Sequence, residues 1–309
     1  MKKTSVFLFA LMFFVCLGII VKMGGAKTSS VPNPQNMKIH VTTSFYPLYF
    51  FVSQIGGDKV AVTNITPSSA EPHDYEPTTQ DMVKIEESDL LILNGGVEAW
   101  GNKVQDTLKN KRIRIVIAGD GLLNQQLTEN NQTSTDPHVW LDPQLAKKEV
   151  DTISKALVKI DPTDHGYFEA NTIALDMRLD QLDQQYRHDL ASCKQKDIIT
   201  SHAAFGYLAT AYGLHQIPIA GLSPDEEPSP KQLADVVDFA RSHDVTYIFF
   251  ESLVSPKLSD AIASEIGAKT LVLDPLEGIS DADIAKGKDY FIVMQDNLKN
   301  LQMALQCTK

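Results

Sequence analysis

Two runs of alternating strand and helix patterns, separated by one long helical stripe, constrain the fold of this sequence more than any other feature. Strands are predicted at residues 39–43, 60–65, 89–94 and 113–118, and again at 197–201, 216–220, 245–250 and 269–273. Helices are predicted at 46–55, 79–87 and 98–109, and later at 203–212, 230–243, 256–266 and 290–305. Because such alternation produces parallel β-α units, we expect two α/β lobes with parallel sheets.

The segment between the two runs has a different pattern. Residues 120–135 are polar and are predicted to be the least structured stretch, and residues 141–160 then form one amphipathic helix. Beyond Asp161-Pro162, large apolar residues recur at helical spacing: Phe168, Leu175, Leu179, Leu182, Tyr186 and Leu190. At 1.5 Å per residue such a helix spans about 40 Å. This stripe of apolar residues predicts a rigid helix over residues 161–192. The helix would join a first lobe at 38–160 to a second lobe at 193–309.

The first 26 residues have the composition of an export signal. Two lysines precede an apolar run over residues 6–21, and small residues follow at 24–26. This order is typical of a cleavable signal peptide, and the run is short for a transmembrane anchor. We therefore expect a periplasmic protein in which residues 27–37 form a flexible leader.

The cysteines raise two separate questions. Cys16 lies inside the apolar run, but the bulky residues at 13–15 do not suit the position before a lipidated cysteine, so we expect no lipid anchor. Cys193 and Cys307 remain after export, where oxidising conditions permit a disulfide. Since the sequence gives no geometry, a disulfide and two free cysteines both remain open.

Charge and motif content exclude several functions. The 309 residues include 39 Asp or Glu and 28 Lys or Arg, which gives a net charge of −11. Such a surface repels phosphate backbones, so we expect no nucleic-acid partner. The sequence contains no His-Glu-x-x-His segment, nucleophile elbow or Gly-rich phosphate loop, which argues against a secreted zinc hydrolase. We expect a monomer that is not an enzyme.

Four short segments place a possible metal ligand at a predicted strand end or at a helix entry, next to proline or in a turn. The candidates are His73 in EPHDYEP, His138 in DPHVWLDP, His202 in TSHAAFG and Asp274 in LDPLEG. They lie 65, 64 and 72 residues apart, so only the tertiary fold could bring them together.

The predicted topology allows these four residues to meet. In open parallel sheets, ligands bind beyond the carboxyl ends of the strands. With His73 and His138 on the first lobe and His202 and Asp274 on the second, we expect a site in the cleft between the lobes. Three imidazoles and one carboxylate suit Zn²⁺, whereas Mn²⁺ prefers more oxygen ligands.

Five ordered segments, which follow the signal peptide, resemble one known family. They read EPHDYEPT, DPHVWLDP, TSHAAFGYLA, GLSPDEEPSPKQL and FESLVSPKLSDAIASEIGAK. Together they resemble the zinc- and manganese-specific solute-binding proteins of ABC transporters, from about residue 38 to the C-terminus. The resemblance implies two (β/α) lobes joined by a long rigid helix, and delivery of a divalent cation to a membrane permease. It also implies His73, His138, His202 and Asp274 as the ligands.

The resemblance favours zinc but leaves alternatives. Manganese members tend to have Glu where this chain has His202, and the loop GLSPDEEPSP is similar to that of zinc members. Many zinc members, however, carry a His-rich loop before the second ligand, whereas residues 120–137 contain no histidine. Manganese or dual binding therefore stays open. An adhesin that shares the fold is a further reading, which would need an anchor.

Three other carboxylates lie near the candidate site. Glu251 and Glu277 are alternatives to Asp274 as the oxygen ligand, because they are close to the same strand ends. Glu71 is predicted to orient His73 by accepting the hydrogen bond of its other ring N–H.

Overall fold

Two four-stranded parallel sheets form the framework of the computed structural model, which describes residues 38–68, 70–129 and 132–308. The predicted signal peptide and leader lie outside these ranges. Among the described residues, no helix has both the length and the apolar character that a membrane span requires. The two parallel sheets confirm the fold class that the sequence predicts.

The first sheet has the strand order β2-β1-β3-β4. Its strands are β1 (Ile39–Thr43), β2 (Val60–Asn64), β3 (Leu90–Leu93) and β4 (Arg114–Ile117). The helices of this part of the chain are α1 (Tyr46–Gly56), α2 (Thr79–Glu87) and α3 (Gly101–Leu108). The sequence Leu-Leu-Ile-Leu of β3 is buried at every position, because helices cover both faces of a parallel sheet.

A short antiparallel hairpin follows the first sheet. It pairs β5 (Gln126–Glu129) with β6 (Gln132–Thr135). The prediction that residues 120–135 lack regular structure is therefore wrong for these two strands. Both strands consist mostly of polar residues, so the sequence shows little of the alternation of apolar and polar residues by which strands are recognised.

Two long helices come next, α4 (Pro143–Ile160) and α5 (His165–Leu190). All six apolar residues of the predicted stripe are buried along α5. With 26 residues, α5 spans about 39 Å, which confirms the long helix. It is shorter than the predicted 161–192, because Pro162–Asp164 form a separate 3-10 turn before it.

The second sheet repeats the plan of the first, with the order β10-β9-β7-β8. Its strands are β7 (Asp197–Thr200), β8 (His215–Pro218), β9 (Tyr247–Phe250) and β10 (Lys269–Val272). The helices here are α6 (Gly206–Tyr212), α7 (Pro230–Ser242), α8 (Lys257–Ile266), α9 (Asp281–Ala285) and α10 (Tyr290–Ala304). The sequence did not predict α9, which has five residues and no buried side chain.

Helix α5 connects the two halves in the packing as well as in the chain. It contacts α1 and α4 of the first half and α6 and α10 of the second. Aromatic rings add a direct contact, since Tyr290 of α10 packs on Phe50 and Phe51 of α1 at centroid distances of 5.7 and 5.2 Å. The described residues from Lys38 onward therefore form one compact unit, and the predicted lobe boundaries stay a prediction.

The ends of the second half of the chain are covalently joined. Cys193, just after α5, is bonded to Cys307, just after α10, across 114 residues. The backbones of the two cysteines also form an isolated antiparallel β-bridge. This pairing answers the question that the sequence left open.

We expect loss of the disulfide to destabilise the protein. Replacing both cysteines by alanine removes a cross-link that restricts the unfolded chain, which should lower the free energy of unfolding by about 2–5 kcal/mol. Urea unfolding of the variant, followed by circular dichroism, measures the change. Reduced wild-type protein serves as the matched control and should unfold like the variant; an unfolding midpoint that is insensitive to reductant would contradict the expectation.

Candidate metal centre

Four side chains from distant parts of the sequence converge at one point. They are His73, His138, His202 and Glu277, and their candidate ligand atoms all lie within 4.8 Å of one another. His138 Nε2 lies 3.2 Å from His73 Nε2 and 3.4 Å from His202 Nε2. Glu277 Oε1 lies 3.2, 3.1 and 3.5 Å from the Nε2 atoms of His73, His138 and His202.

These separations match the shell of a small tetrahedral ion. With metal–ligand bonds of about 2.0–2.1 Å, the ligand atoms of such a shell stand about 3.3–3.4 Å apart. Five of the six pairs in the cluster are separated by 3.1–3.5 Å. The cluster therefore has the dimensions and the N₃O composition of a zinc site.

The strand ends of both sheets position the cluster. His202 follows β7 directly, Glu277 lies in the turn after β10, and His73 lies in the loop after β2. His138 precedes a 3-10 turn, Val139–Leu141, that leads into α4. Because strands in a parallel sheet point the same way, loops that follow neighbouring strands lie at one edge, where ligands bind.

Two buried carboxylates fix the imidazole orientations. Nδ1–H of His138 donates to Asp136 Oδ1 at 2.8 Å, and Nδ1–H of His202 donates to Glu251 Oε1 at 2.6 Å. Since an ionised carboxylate only accepts hydrogen bonds, each ring is held with its Nε2 towards the other ligands, where it can bind a metal once it has lost its proton. Glu251 also accepts from Ser201, so this alternative ligand instead supports His202.

His73 is held differently from the other two histidines. Its backbone N–H, not its ring, donates to Glu71 Oε1 at 3.3 Å, which corrects the predicted role of Glu71. Burial, helped by the charge of Glu277, raises the pKa of Glu71 to about 9. The side chain of His73 is 9% exposed, whereas those of His138, His202 and Glu277 are at most 1% exposed, so His73 lies at the outer side of the cluster.

Asp274, the predicted fourth ligand, does not belong to the cluster. Its carboxylate accepts hydrogen bonds from the Ser252 hydroxyl and from the backbone N–H of Leu276 at 2.8 Å. Asp274 thus caps the turn that carries Glu277, three residues further on. Of the two alternatives that the sequence offered, the structure brings Glu277 to the imidazoles.

The histidines and carboxylates in and around the cluster stabilise one another's charged forms. Burial alone would lower the pKa of His138 and His202, but the neighbouring carboxylates raise both, that of His202 well above its usual value. Burial would raise the pKa of Glu277, but the charge of His202 and hydrogen bonds from the three histidines hold it well below its usual value. The carboxylates therefore favour positive charge at this point, whether it is carried by imidazole protons or by a metal ion.

Comparison with known proteins agrees with this geometry. The family model described as ZnuA, zinc-uptake complex component A, periplasmic, matches residues 41–304. The chain belongs to the ZnuA family. This confirms the family resemblance that the sequence motifs indicate.

Individual ZnuA-family relatives match over nearly the whole chain. The high-affinity zinc uptake system protein ZnuA of Bacillus subtilis is 40% identical over 302 residues, which cover 94% of this chain and 95% of that protein. The laminin-binding protein Lmb of Streptococcus agalactiae, described as having adhesin and metal-transporting activity, is 32% identical with a TM-score of 0.79. That match covers 87% of this chain and all of Lmb.

The zinc-binding lipoprotein AdcA of Streptococcus pneumoniae is a longer ZnuA-family relative. It is 37% identical over 98% of this chain, but the match covers 61% of AdcA. Its Zn(II)-bound crystal structure has a TM-score of 0.77 and 38% identity over 87% of this chain and 58% of that one. Since AdcA is a lipoprotein, the comparisons do not support the expectation that this chain lacks a lipid anchor.

We expect metal affinity to fall as the pH is lowered, starting above pH 6.5. The pKa values of His138 and His202 are both raised above 6.5, so these imidazoles hold protons at a higher pH than an ordinary histidine does, and a metal must displace those protons. Affinity should drop by up to about tenfold per pH unit for each proton displaced. Zn²⁺ titrations against a competing chelator between pH 8 and 5.5 measure it.

The exposed His40 provides the control for this pH dependence. A His40→Gln variant should show the same profile as the wild type, since His40 lies outside the cluster. An affinity that stays constant from pH 8 to 5.5 would argue against histidine ligation.

Proposed function

We propose that this protein captures Zn²⁺ outside the cytoplasm and delivers it to the membrane permease of an ABC transporter. The separations of 3.1–3.5 Å among three imidazole nitrogens and one carboxylate oxygen carry this proposal. The site residues are His73, His138, His202 and Glu277, and the ion is a transported ligand rather than a resident cofactor. Family membership supports the transport role.

The ligand set favours zinc over manganese. Three nitrogen donors and a single oxygen suit Zn²⁺, whereas Mn²⁺ is better served by carboxylate, carbonyl and water oxygens. The cluster is also almost fully buried, which leaves little room for the waters that would complete a six-coordinate shell. We therefore place Zn²⁺ ahead of Mn²⁺.

A hydrolase is a poorer fit to the same cluster. Catalytic zinc keeps three protein ligands and one open position for water. Here Glu277 supplies a fourth donor within 3.1–3.5 Å of the other three, so the protein itself would complete the shell. We propose that the chain binds and releases the ion without chemical change and acts as a monomer.

Capture would join the two halves of the molecule. His73 and His138 come from the side of the first sheet, and His202 and Glu277 from the side of the second. The buried stripe of α5 packs against helices of both halves, which resists wide hinge bending. Opening and closing should therefore be small, local movements of the ligand-bearing loops.

Calorimetric titration of the mature protein with Zn²⁺ and Mn²⁺ tests the site. We expect tight one-to-one Zn²⁺ binding, weakened by about 100-fold or more in His202→Ala, which loses a ligand, and by at least about tenfold in Glu277→Gln, where a neutral amide oxygen replaces the charged carboxylate. Asp274→Asn should retain most of the affinity, since an amide oxygen can still cap the turn.

His243→Ala is the control for this titration, because His243 is exposed and outside the cluster. Tighter Mn²⁺ than Zn²⁺ binding would overturn the choice of metal but keep the family. Unchanged Zn²⁺ affinity in both His202→Ala and Glu277→Gln would overturn the site.

We also propose export by a signal peptide that is cleaved after residue 26, which leaves the mature protein free in the periplasm. The basic start, apolar run and small residues of segment 1–26 support this. Intact mass and N-terminal sequence of the exported protein should show a chain that begins at Lys27. Cys16→Ala should give the same product, and a mature chain that begins at a lipid-modified Cys16 would overturn the proposal.

A further inference from the structure

The turn that carries Glu277 is held by side chains from elsewhere in the chain. The backbone N–H of Asp274 donates to Asn297 Oδ1 at 2.8 Å, and Asn297 Nδ2 donates back to the carbonyl of Asp274 at 2.7 Å. The indole N–H of Trp140 donates to the carbonyl of Pro275 at 2.7 Å. Backbone groups on two successive residues of this turn are thus bonded to the side chains of Asn297 and Trp140.

The turn needs this support because its backbone is strained. Leu276, immediately before Glu277, has φ of 62°, a conformation that residues other than glycine rarely adopt. Its side chain is fully buried, so the residue cannot relax without disturbing the core. Such a conformation persists only where the surroundings determine it from several sides.

The supporting side chains are themselves fixed. Trp140 is fully buried and lies two residues after His138, and its carbonyl accepts the hydroxyl of Tyr290 at 2.6 Å. Asn297 is 1% exposed and lies on α10, two turns beyond Tyr290. The turn is therefore bound both to the segment that presents His138 and to α10.

We propose that Asn297 and Trp140 are positioning residues that hold Glu277 so that a single carboxylate oxygen faces the three imidazoles. The inference rests on the proposed function of the cluster. Each contact between Glu277 and the histidines is made by Oε1, at 3.1–3.5 Å. One fixed oxygen completes a four-coordinate shell for Zn²⁺, whereas a mobile carboxylate could offer two oxygens to an ion that prefers more of them.

Asn297→Ala tests this against a closely matched control, Asn300→Ala. Asn300 lies on the same helix, and its Nδ2 donates to the carbonyl of Val272 at 2.8 Å, on the strand before the turn rather than on the turn itself. The probes are Zn²⁺ and Mn²⁺ affinities of the full exported chain and the visible absorption of the Co²⁺-loaded protein, which is strong only for four-coordinate cobalt.

We expect Asn297→Ala to weaken Zn²⁺ binding about tenfold or more, by analogy with other residues that orient metal ligands. Mn²⁺ affinity should fall less, so the Zn²⁺/Mn²⁺ affinity ratio falls, and the Co²⁺ absorption weakens. Asn300→Ala should leave affinities and absorption close to wild type even where its melting temperature falls by a similar amount. Equal Zn²⁺/Mn²⁺ ratios in the two variants would overturn the proposal.

Trp140→Phe provides a second test, because it keeps an aromatic ring in the core while it removes the indole donor together with part of the ring volume. It should lower the Zn²⁺/Mn²⁺ ratio in the same direction, and an unchanged ratio would exclude Trp140 from the positioning role. The proposed function fails separately: a wild-type protein that binds no Zn²⁺ overturns it, whereas tight wild-type binding that Asn297→Ala leaves unchanged overturns only the positioning role.

Discussion

The carboxylate of Glu277 and the three imidazoles around it form the interaction on which the rest of the structure depends. A lone buried carboxylate is costly, and so is a lone buried imidazolium, but each offsets the other at 3.1–3.5 Å. Because the Glu277 carboxylate needs positive charge beside it, the site favours cations over neutral or negative ligands. A metal ion with two charges can replace the protons on the imidazoles and leave the carboxylate fully compensated.

The fold explains how such a cluster can be buried and still take its ligands from both halves of the chain. Its members come from loops at the ends of two separate sheets, and the long α5 packs against helices of both halves. Trp140 then ties the His138 segment to the turn before Glu277 through one hydrogen bond. Because contacts of this kind cross from one half to the other, the site is assembled by the packing of the whole molecule and not by a local motif.

The sequence was sufficient to predict the parallel sheets and the three histidines of the cluster, but not the fourth ligand. Strand ends could be predicted because apolar runs such as Leu90–Leu93 stand out, and a proline directly before His73 or His138 marks a turn-fixed position. Asp274 is predicted ahead of Glu277 because it directly follows the predicted strand 269–273 and because the family resemblance implies it, and nothing in the sequence reveals the positive φ at Leu276. This conformation lies between the two carboxylates, and in the folded turn Glu277 faces the histidines while Asp274 binds Ser252 and the backbone of Leu276.

The covalent bond between Cys193 and Cys307 has a consequence for the exposed loops of the second half. Every loop from β7 to α10 lies within a ring closed by this bond. A single cut by a protease in such a loop, for example in the exposed segment 225–227, leaves both pieces attached to the rest of the molecule. Glu277 would then stay covalently attached to the piece that carries the three histidines, so a protein cut once in this segment need not lose its carboxylate ligand.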